Sequence, residues 1–198
     1  MVEVLLDQGA NPNITGGEFG TPLQAAACSG YEEICSSLLG HGADANLQAR
    51  EFGSVLRAVP GSQEPTTKQS PGDGDEILRL LLKAGADVNA KGGTYMDALQ
   101  AAATSRKAEA VKMLLAAGAE VTSRGGKCRS ALEAAALGGH SDVIGLLLST
   151  SARISAQIDI LRDAREIADR AGYIGVVGLL ERVIDRRGLG RTELGAAP

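Results

Sequence analysis

Aromatic residues are scarce in this chain of 198 residues. It has no tryptophan, two phenylalanines and three tyrosines, and aromatic residues make up 3% of its composition. A buried core must therefore consist mainly of leucine, isoleucine, valine and alanine. Glycine, in contrast, is abundant at 26 residues, which predicts many turns between short elements.

Histidine and cysteine are also rare. The chain has two histidines, His41 and His140, and three cysteines, Cys28, Cys35 and Cys128. The cysteines form no C-x-x-C pair and are odd in number, so the sequence predicts neither a zinc site nor a disulfide framework. No serine or cysteine can be paired with a base by its spacing, which excludes a predicted nucleophilic triad. We therefore expect no enzymatic activity, no metal and no cofactor.

Long apolar segments and a strong net charge are absent as well. No apolar segment approaches the ~20 residues that a membrane-spanning helix needs, and the N-terminus lacks the basic flank and apolar run of a signal peptide. A net charge of −4 and a pI near 5.3 give no general attraction to nucleic acid or acidic membranes. We expect a soluble protein of the cytoplasm, or of the nucleus.

The sequence does contain an internal repeat. The two phenylalanines, Phe19 and Phe52, stand 33 residues apart, and both lie within the tripeptide Glu-Phe-Gly. A Gly-Ala pair followed by a polar residue recurs at steps of 33, 43 and 33 residues. The four copies are Gly9-Ala10-Asn11, Gly42-Ala43-Asp44, Gly85-Ala86-Asp87 and Gly118-Ala119-Glu120. A fixed period of about 20–50 residues predicts an array of stacked units.

Each unit begins with a helix-capping residue. Good N-cap residues share one position of the repeat: Thr21, Ser54, Asp97 and Ser130. Three of them are followed, three residues later, by the partner residue of a capping box: Gln24, Gln100 and Glu133. A second helix follows, in which pairs such as Leu38-Leu39 recur at helical spacing. The predicted unit is helix, turn, helix and connector, and glycine ends each helix.

One unit departs from this pattern at the turn between its helices. Gly30, Gly139 and Gly172 occupy the position that ends the first helix, where a left-handed conformation is expected. The third unit has Arg106 there. We expect Arg106 to be held at positive φ, so that replacing it with glycine stabilises the fold.

These motifs resemble ankyrin repeats. The resemblance rests on Thr-Pro-Leu-Gln-Ala-Ala-Ala at 21–27, on the Gly-Tyr and Gly-His turns, and on Leu-Leu-x-x-Gly-Ala-Asp-x-Asn, and it covers residues 2–182. It implies an all-α solenoid of stacked helix-turn-helix units with short β-hairpin-like connectors. Connectors of the type Gly-Gly-x-aromatic, with Ala-Leu-Gln-Ala-Ala, are similar to a variant common in large multidomain proteins of filamentous fungi. Equivalent connector positions hold Phe19, Phe52, Tyr95 and Cys128, which we expect to stack as a ladder.

The predicted array spans residues 1–187. It consists of a half repeat at 1–13, full repeats from about 14, 47 and 90, and a worn cap repeat at 158–184. The half repeat has no first helix, which is expected of a cut array, and we expect the chain to associate through its uncovered Val2, Leu5 and Leu6. The proline-rich segment 60–74 is an expected insertion loop, and residues 188–198 are an expected disordered tail.

The resemblance also implies a function, namely non-catalytic protein–protein interaction, as in a scaffold. Partners of ankyrin proteins usually lie across the connector tips and first helices. Matching connector positions are Glu18, Arg50, Glu51, Thr94, Met96, Arg124, Lys127 and Arg129, and matching helix positions are Cys28, Ser29, Thr104, Ser105 and Leu137. Arg124, Lys127 and Arg129 form a short basic cluster. The alternative is a ligand-sensing ankyrin fragment of a larger multidomain signalling protein or nucleotide-driven switch.

Overall fold

The chain folds into pairs of short helices. A computed structural model describes residues 1–17, 19–48, 53–57, 74–91, 97–126, 128–150 and 158–186. Its α-helices are α1 (Val2–Asp7), α2 (Pro22–Cys28), α3 (Glu32–Gly40), α4 (Asp75–Lys83), α5 (Ala98–Thr104), α6 (Ala108–Ala116), α7 (Ala131–Leu137), α8 (Ser141–Thr150), α9 (Ile158–Arg170) and α10 (Ile174–Arg186). None of these helices is both long and apolar enough to cross a membrane.

The helices form two layers. The first-helix layer consists of α2, a 3₁₀-helix at Val55–Arg57, α5, α7 and α9, packed in that order. The second-helix layer consists of α1, α3, α4, α6, α8 and α10, and within each unit the two helices pack on each other. No strand occurs in the described part of the chain, where an isolated bridge joins Gly16 and Gly20 in the first connector. The predicted all-α solenoid with hairpin-like connectors is confirmed.

Hydrogen bonds at the predicted N-caps begin three of the first helices. The Thr21 hydroxyl accepts from the N–H of Gln24, and the Gln24 side chain accepts from the N–H of Thr21, both at 3.1 Å, which completes a capping box. Asp97 and Ser130 likewise accept from the N–H three residues on, at 2.8 and 3.2 Å. In these two units, however, the second hydrogen bond of the pair joins two side chains instead of a side chain and a backbone N–H. Gln100 Nε2 donates to the Asp97 carboxylate, and the Ser130 hydroxyl donates to Glu133, each at 3.3 Å.

The second full unit also begins a helix after its predicted N-cap residue, Ser54. The described residues that follow it form a 3₁₀-helix, Val55–Arg57. Residues 58–73, which follow this 3₁₀-helix, lie outside the described residues. The predicted insertion, 60–74, lies almost entirely outside the described residues, as does the predicted tail at 188–198.

The turn between paired helices has the predicted geometry. Gly30, Gly139 and Gly172 have φ values of 75°, 68° and 79°, and Arg106 at the same position has a φ of 55°. The prediction that Arg106 is held in the left-handed region is confirmed. Arg106 also lies 3.4 Å from the Asp142 carboxylate of the next unit, a contact that the sequence did not indicate.

Asparagine side chains join successive connectors. Asn46 Nδ2 donates to the carbonyl of Gly85 at 3.0 Å, and Asn46 Oδ1 accepts from the N–H of Asp87 at 2.7 Å. Asn13 and Asn89 make the same two bonds to the units that follow them. Each asparagine therefore satisfies two backbone groups at the end of a neighbouring second helix.

The buried positions of the core follow the repeat in every unit except at α1. Leu38, Leu81, Leu114 and Leu147 occupy one repeat position and are at most 2% exposed. Leu5 occupies the same position in α1 and is 56% exposed, because no described first helix packs beside α1. Within the predicted aromatic ladder, Phe19 is 37% exposed and Cys128 is buried. Phe52 and Tyr95 lie outside the described residues, so the ladder stays a prediction.

Candidate functional site

A cleft opens between α7 and α9 in the first-helix layer. It has a volume of about 310 Å³. Its walls come from the connector before α7, from α7 itself and from α9, and consist of Cys128, Arg129, Glu133, Leu137, Asp163, Glu166, Ile167 and Arg170. This α7–α9 cleft is small for a drug-sized ligand but suits one or two side chains of a partner.

Arg129 forms one corner of the cleft in an uncommon backbone conformation. Its φ is 59°, at the repeat position where Gly20 and Gly53 have 84° and 64°. Its carbonyl accepts from the N–H of Gly125 at 3.0 Å, which closes the connector just as the Gly16–Gly20 bond closes the first one. Its guanidinium lies 3.4 Å from the carboxylate of Asp163 on α9. A left-handed arginine costs roughly 1–2 kcal/mol, and such strain tends to occur at functional sites.

Glu133 contributes a buried carboxyl group to the cleft. It is 2% exposed and sits where the first and third units have Gln24 and Gln100. The amide of Gln24 donates to the Gly53 carbonyl at 2.7 Å, and that of Gln100 approaches the Ser123 carbonyl at 3.5 Å. A carboxylate has no hydrogen to donate, and Glu133 instead accepts from the Ser130 hydroxyl. Burial raises the pKa of Glu133, although the nearby Arg129 opposes the shift.

The remaining residues of the cleft wall are aliphatic side chains and one ion pair. Leu137, at the end of α7, is 54% exposed, whereas Cys28 and Thr104 at the same repeat position are half-buried. Ile167 of α9 is half-buried beside the same cleft. On α9, the guanidinium of Arg170 lies 2.9 Å from the carboxylate of Glu166. The cleft thus offers an aliphatic contact surface beside several charges.

The structure brings only some of the predicted partner-binding residues together. Arg129 and Leu137 line the α7–α9 cleft, and Arg124 is exposed on the same connector. Ser29, at the end of α2, is exposed, and Thr104 and Ser105, at the end of α5, are half-buried. None of these three residues lines the cleft. Six other candidates lie outside the described residues: Glu18, Arg50, Glu51, Thr94, Met96 and Lys127.

Sequence reasoning missed the acidic side of the cleft. Glu133 was interpreted only as a capping-box partner, and Glu166 and Arg170 were not among the predicted site residues. One signal was available for Glu133, since it places an acid where two other units have glutamine. Asp163 stands 33 residues after Ser130, at the position of the N-cap residues, and that position did not indicate an ion pair with Arg129.

The described residues suggest no site for metal or nucleophilic chemistry. They contain no group of three or more His, Cys, Asp or Glu side chains able to hold a metal ion. Burial raises the pKa of Cys35 to about 12, which keeps this thiol protonated.

Comparisons with known families agree with this architecture. Residues 20–50 match the model described as "Ankyrin repeat", and residues 69–158 match the model described as "Ankyrin repeats (3 copies)". A search of curated proteins finds no match to the chain. The two family matches together cover more than half of the chain; the first includes α2 and α3, and the second includes α4 to α8. The chain is therefore built from ankyrin repeats, and its fold is an all-α ankyrin-repeat solenoid.

Proposed function

We propose that this chain is a non-catalytic interaction module that binds a partner protein across its connectors and first helices, with the α7–α9 cleft at the centre of the interface. Ankyrin repeats generally act as protein–protein interaction modules. The observation that carries the proposal is the exposed Leu137 beside a cleft whose corner residue, Arg129, is left-handed. Arginine is enriched in protein–protein interfaces, and an exposed aliphatic side chain gains free energy when a partner removes it from water.

Several finer statements belong to the same proposal. The division into a half repeat, full repeats and a cap repeat is the organisation that we propose for the array. We also propose a scaffold-type role in the cytoplasm, a kinship with the fungal connector variant, and association through the uncovered side of α1. The exposed Leu5 supports the last of these.

Site-directed photo-crosslinking tests the proposal directly. A photoreactive phenylalanine analogue replaces Leu137 in the cleft wall, and in a matched variant it replaces Ile174, which is 84% exposed at the start of α10 in the other layer. We expect a discrete protein adduct from position 137, which is then purified and shown to bind the unmodified chain. Adducts that form equally from both positions, or from position 174 alone, would place the interface elsewhere.

The alternative function, ligand sensing within a larger signalling protein, has less support. The α7–α9 cleft combines two predicted partner-binding residues, Arg129 and Leu137, with the buried carboxyl group of Glu133. Its exposed side chains suit a protein segment better than an enclosed small ligand.

A further inference from the structure

We propose that two copies of this chain form a two-fold symmetric dimer through the end of the array that contains α1. The inference rests on the proposed association through α1, and it goes further by naming the partner as a second copy and by fixing the symmetry of the contact. Four features support it: burial at equivalent repeat positions, the shape of this end, its charge, and the different chemistry of the opposite end.

The end of the array at α1 exposes positions that other units bury. Ile14 is 60% exposed, whereas Ala90 and Ser123 at its repeat position are 9% and 7% exposed. Pro22 and Ala25 of α2 are half-buried. The equivalent alanines of α5 and α7 are at most 4% exposed: Ala98, Ala101, Ala131 and Ala134. This end therefore has the composition of a surface between units, although no described unit packs on it.

The same end is stepped. The second-helix layer starts with α1 and the first-helix layer with α2, so α1 projects one helix beyond α2. Val4 and Leu5 are 62% and 56% exposed on the projecting helix. A recess of about 270 Å³ opens over the start of α2 and the connector before it, and its lining includes Ile14, Phe19 and Pro22. We call this end, formed by α1, α2 and the described residues between them, the stepped face.

A projection and a recess on one face make that face complementary to itself. Rotation about a two-fold axis places α1 of each copy over α2 of the other, so that both copies cover the same surface. The dimensions agree, because the step is one helix wide, roughly 10 Å with side chains, and a single helix fills it.

Val4 favours a second copy over a lone helix of another protein. It stands two residues from the buried Leu6, about 200° around α1, and so faces away from the stack. A lone helix laid in the step covers Leu5 but leaves Val4 in water. In the two-fold pair, Val4 of one copy lies against α2 of the other, which removes this side chain from water as well.

Charge does not oppose the two-fold contact. The carboxylates of α1 are held by α3, since Glu3 accepts from the Ser37 hydroxyl at 3.3 Å and Asp7 lies 3.2 Å from Nε2 of His41. The described residues that line the recess include no charged side chain. Two identical faces can therefore meet without bringing like charges together, which would cost free energy.

The opposite end of the described array does not match the stepped face. Its two layers end together, at α9 and α10, which pack on each other and leave no step. Arg165 lies 3.0 Å from Glu181 across these helices, and Arg162 and Asp185 line the same cleft. Head-to-tail stacking would bury these charges against apolar side chains, which is unfavourable. A closed pair is therefore favoured over an open chain of copies.

Methyl NMR of the isotope-labelled full chain tests the contact. The chain is diluted from about 1 mM to about 10 μM, a range in which small interfaces dissociate. We expect the methyl shifts of Val4, Leu5 and Ile14 to change with concentration as a monomer–dimer equilibrium requires, while those of Ile174 and Ile184 in α10 stay constant.

The other outcomes are distinct. Shifts that change at both ends of the array and fit open-ended association would overturn the two-fold contact but retain association through α1. Constant shifts at every methyl would contradict both, and would leave a helix of another protein as the occupant of the step. Neither outcome bears on the proposal for the α7–α9 cleft.

A pair of lysine variants locates the contact. Val4→Lys places a charge in the interface twice, once from each copy, and should weaken dimerisation at least about tenfold. Ile174→Lys makes the same kind of change at a side chain that is 84% exposed in α10, and should leave the dissociation constant unchanged. Because both replaced side chains are exposed, neither variant should lower the Tm. Dimerisation that is unaffected by Val4→Lys, or weakened equally by both variants, would overturn the inference.

Discussion

Replacing Arg106 with glycine tests how the array tolerates an irregular turn. Arg106 has a φ of 55° at a position where three other units have glycine. Relief of this conformation is worth about 1 kcal/mol to the folded state. The substitution also removes the contact at 3.4 Å with Asp142, a pair whose side chains are 64% and 45% exposed. An exposed ion pair contributes roughly 0.2–1 kcal/mol, so we expect net stabilisation of about 0–1 kcal/mol.

A double-mutant cycle separates the two effects. Arg106→Gly is measured alone and together with Asp142→Asn, by urea unfolding followed with circular dichroism, since the chain has no tryptophan. In the Asp142→Asn background there is no ion pair to lose, so the full gain of about 1 kcal/mol should appear, or roughly 2–4 °C in Tm. Destabilisation by Arg106→Gly in that background would refute the reasoning, because it would mean that the arginine side chain is stabilising apart from its partner.

Three further predictions concern other parts of the array. Asn46→Ala removes two hydrogen bonds between connectors and should lower the free energy of unfolding in urea by about 1–3 kcal/mol. Thr122→Ala is the control, because Thr122 occupies the same repeat position without an asparagine, and it should lower that free energy much less. Equal losses in the two variants would contradict the structural role of the asparagines. The Ser37 carbonyl and Asp7 of α1 raise the pKa of His41 above its usual value of 6.5, so the stability that His41 contributes is present below pH 6.5 and lost as the pH rises through the raised pKa. The urea midpoint should therefore fall over that rise in pH in the wild type and fall less in His41→Gln, and identical pH profiles of the two proteins would contradict the prediction. Leu5→Ser should reduce concentration-dependent association in analytical ultracentrifugation, because Leu5 is 56% exposed. Arg186→Ala, the control, should leave association unchanged. Association that is unaffected by Leu5→Ser would place the contact elsewhere.

The fold could be predicted from the sequence because each unit repeats the same local signals. The N-cap residues, the glycines that end the helices and the leucine positions recur in one register, so an error in one unit is corrected by the others. Arg106 shows how far this reasoning extends, since its positive φ followed from Gly30 and Gly139 alone. The 3₁₀-helix at Val55–Arg57 shows its limit, because a capping residue predicts where a helix starts but not whether its first turn is 3₁₀ or α.

The candidate site was less predictable. Arg129 and Leu137 were identified because a resemblance assigns connectors and first helices to partner binding. Three of the five charged residues of the cleft lining come from α9, namely Asp163, Glu166 and Arg170. They stand 33 residues after Ser130, Glu133 and Leu137, but the period does not predict which of them face the cleft. Burial of Glu133 was also not readable, because a capping-box glutamate can as well be exposed to solvent. Long-range pairing such as that of Arg129 with Asp163 depends on packing between units rather than on spacing within one.

The central claim is that the α7–α9 cleft binds a partner protein, and an affinity comparison tests it most directly. The partner recovered through position 137 is titrated against the wild type, against Leu137→Thr and against Ile174→Thr, a control that replaces an exposed aliphatic side chain in the other layer. The account predicts that Leu137→Thr weakens binding about tenfold at an unchanged Tm, while Ile174→Thr binds like the wild type. Equal affinity of all three proteins for the partner would contradict it.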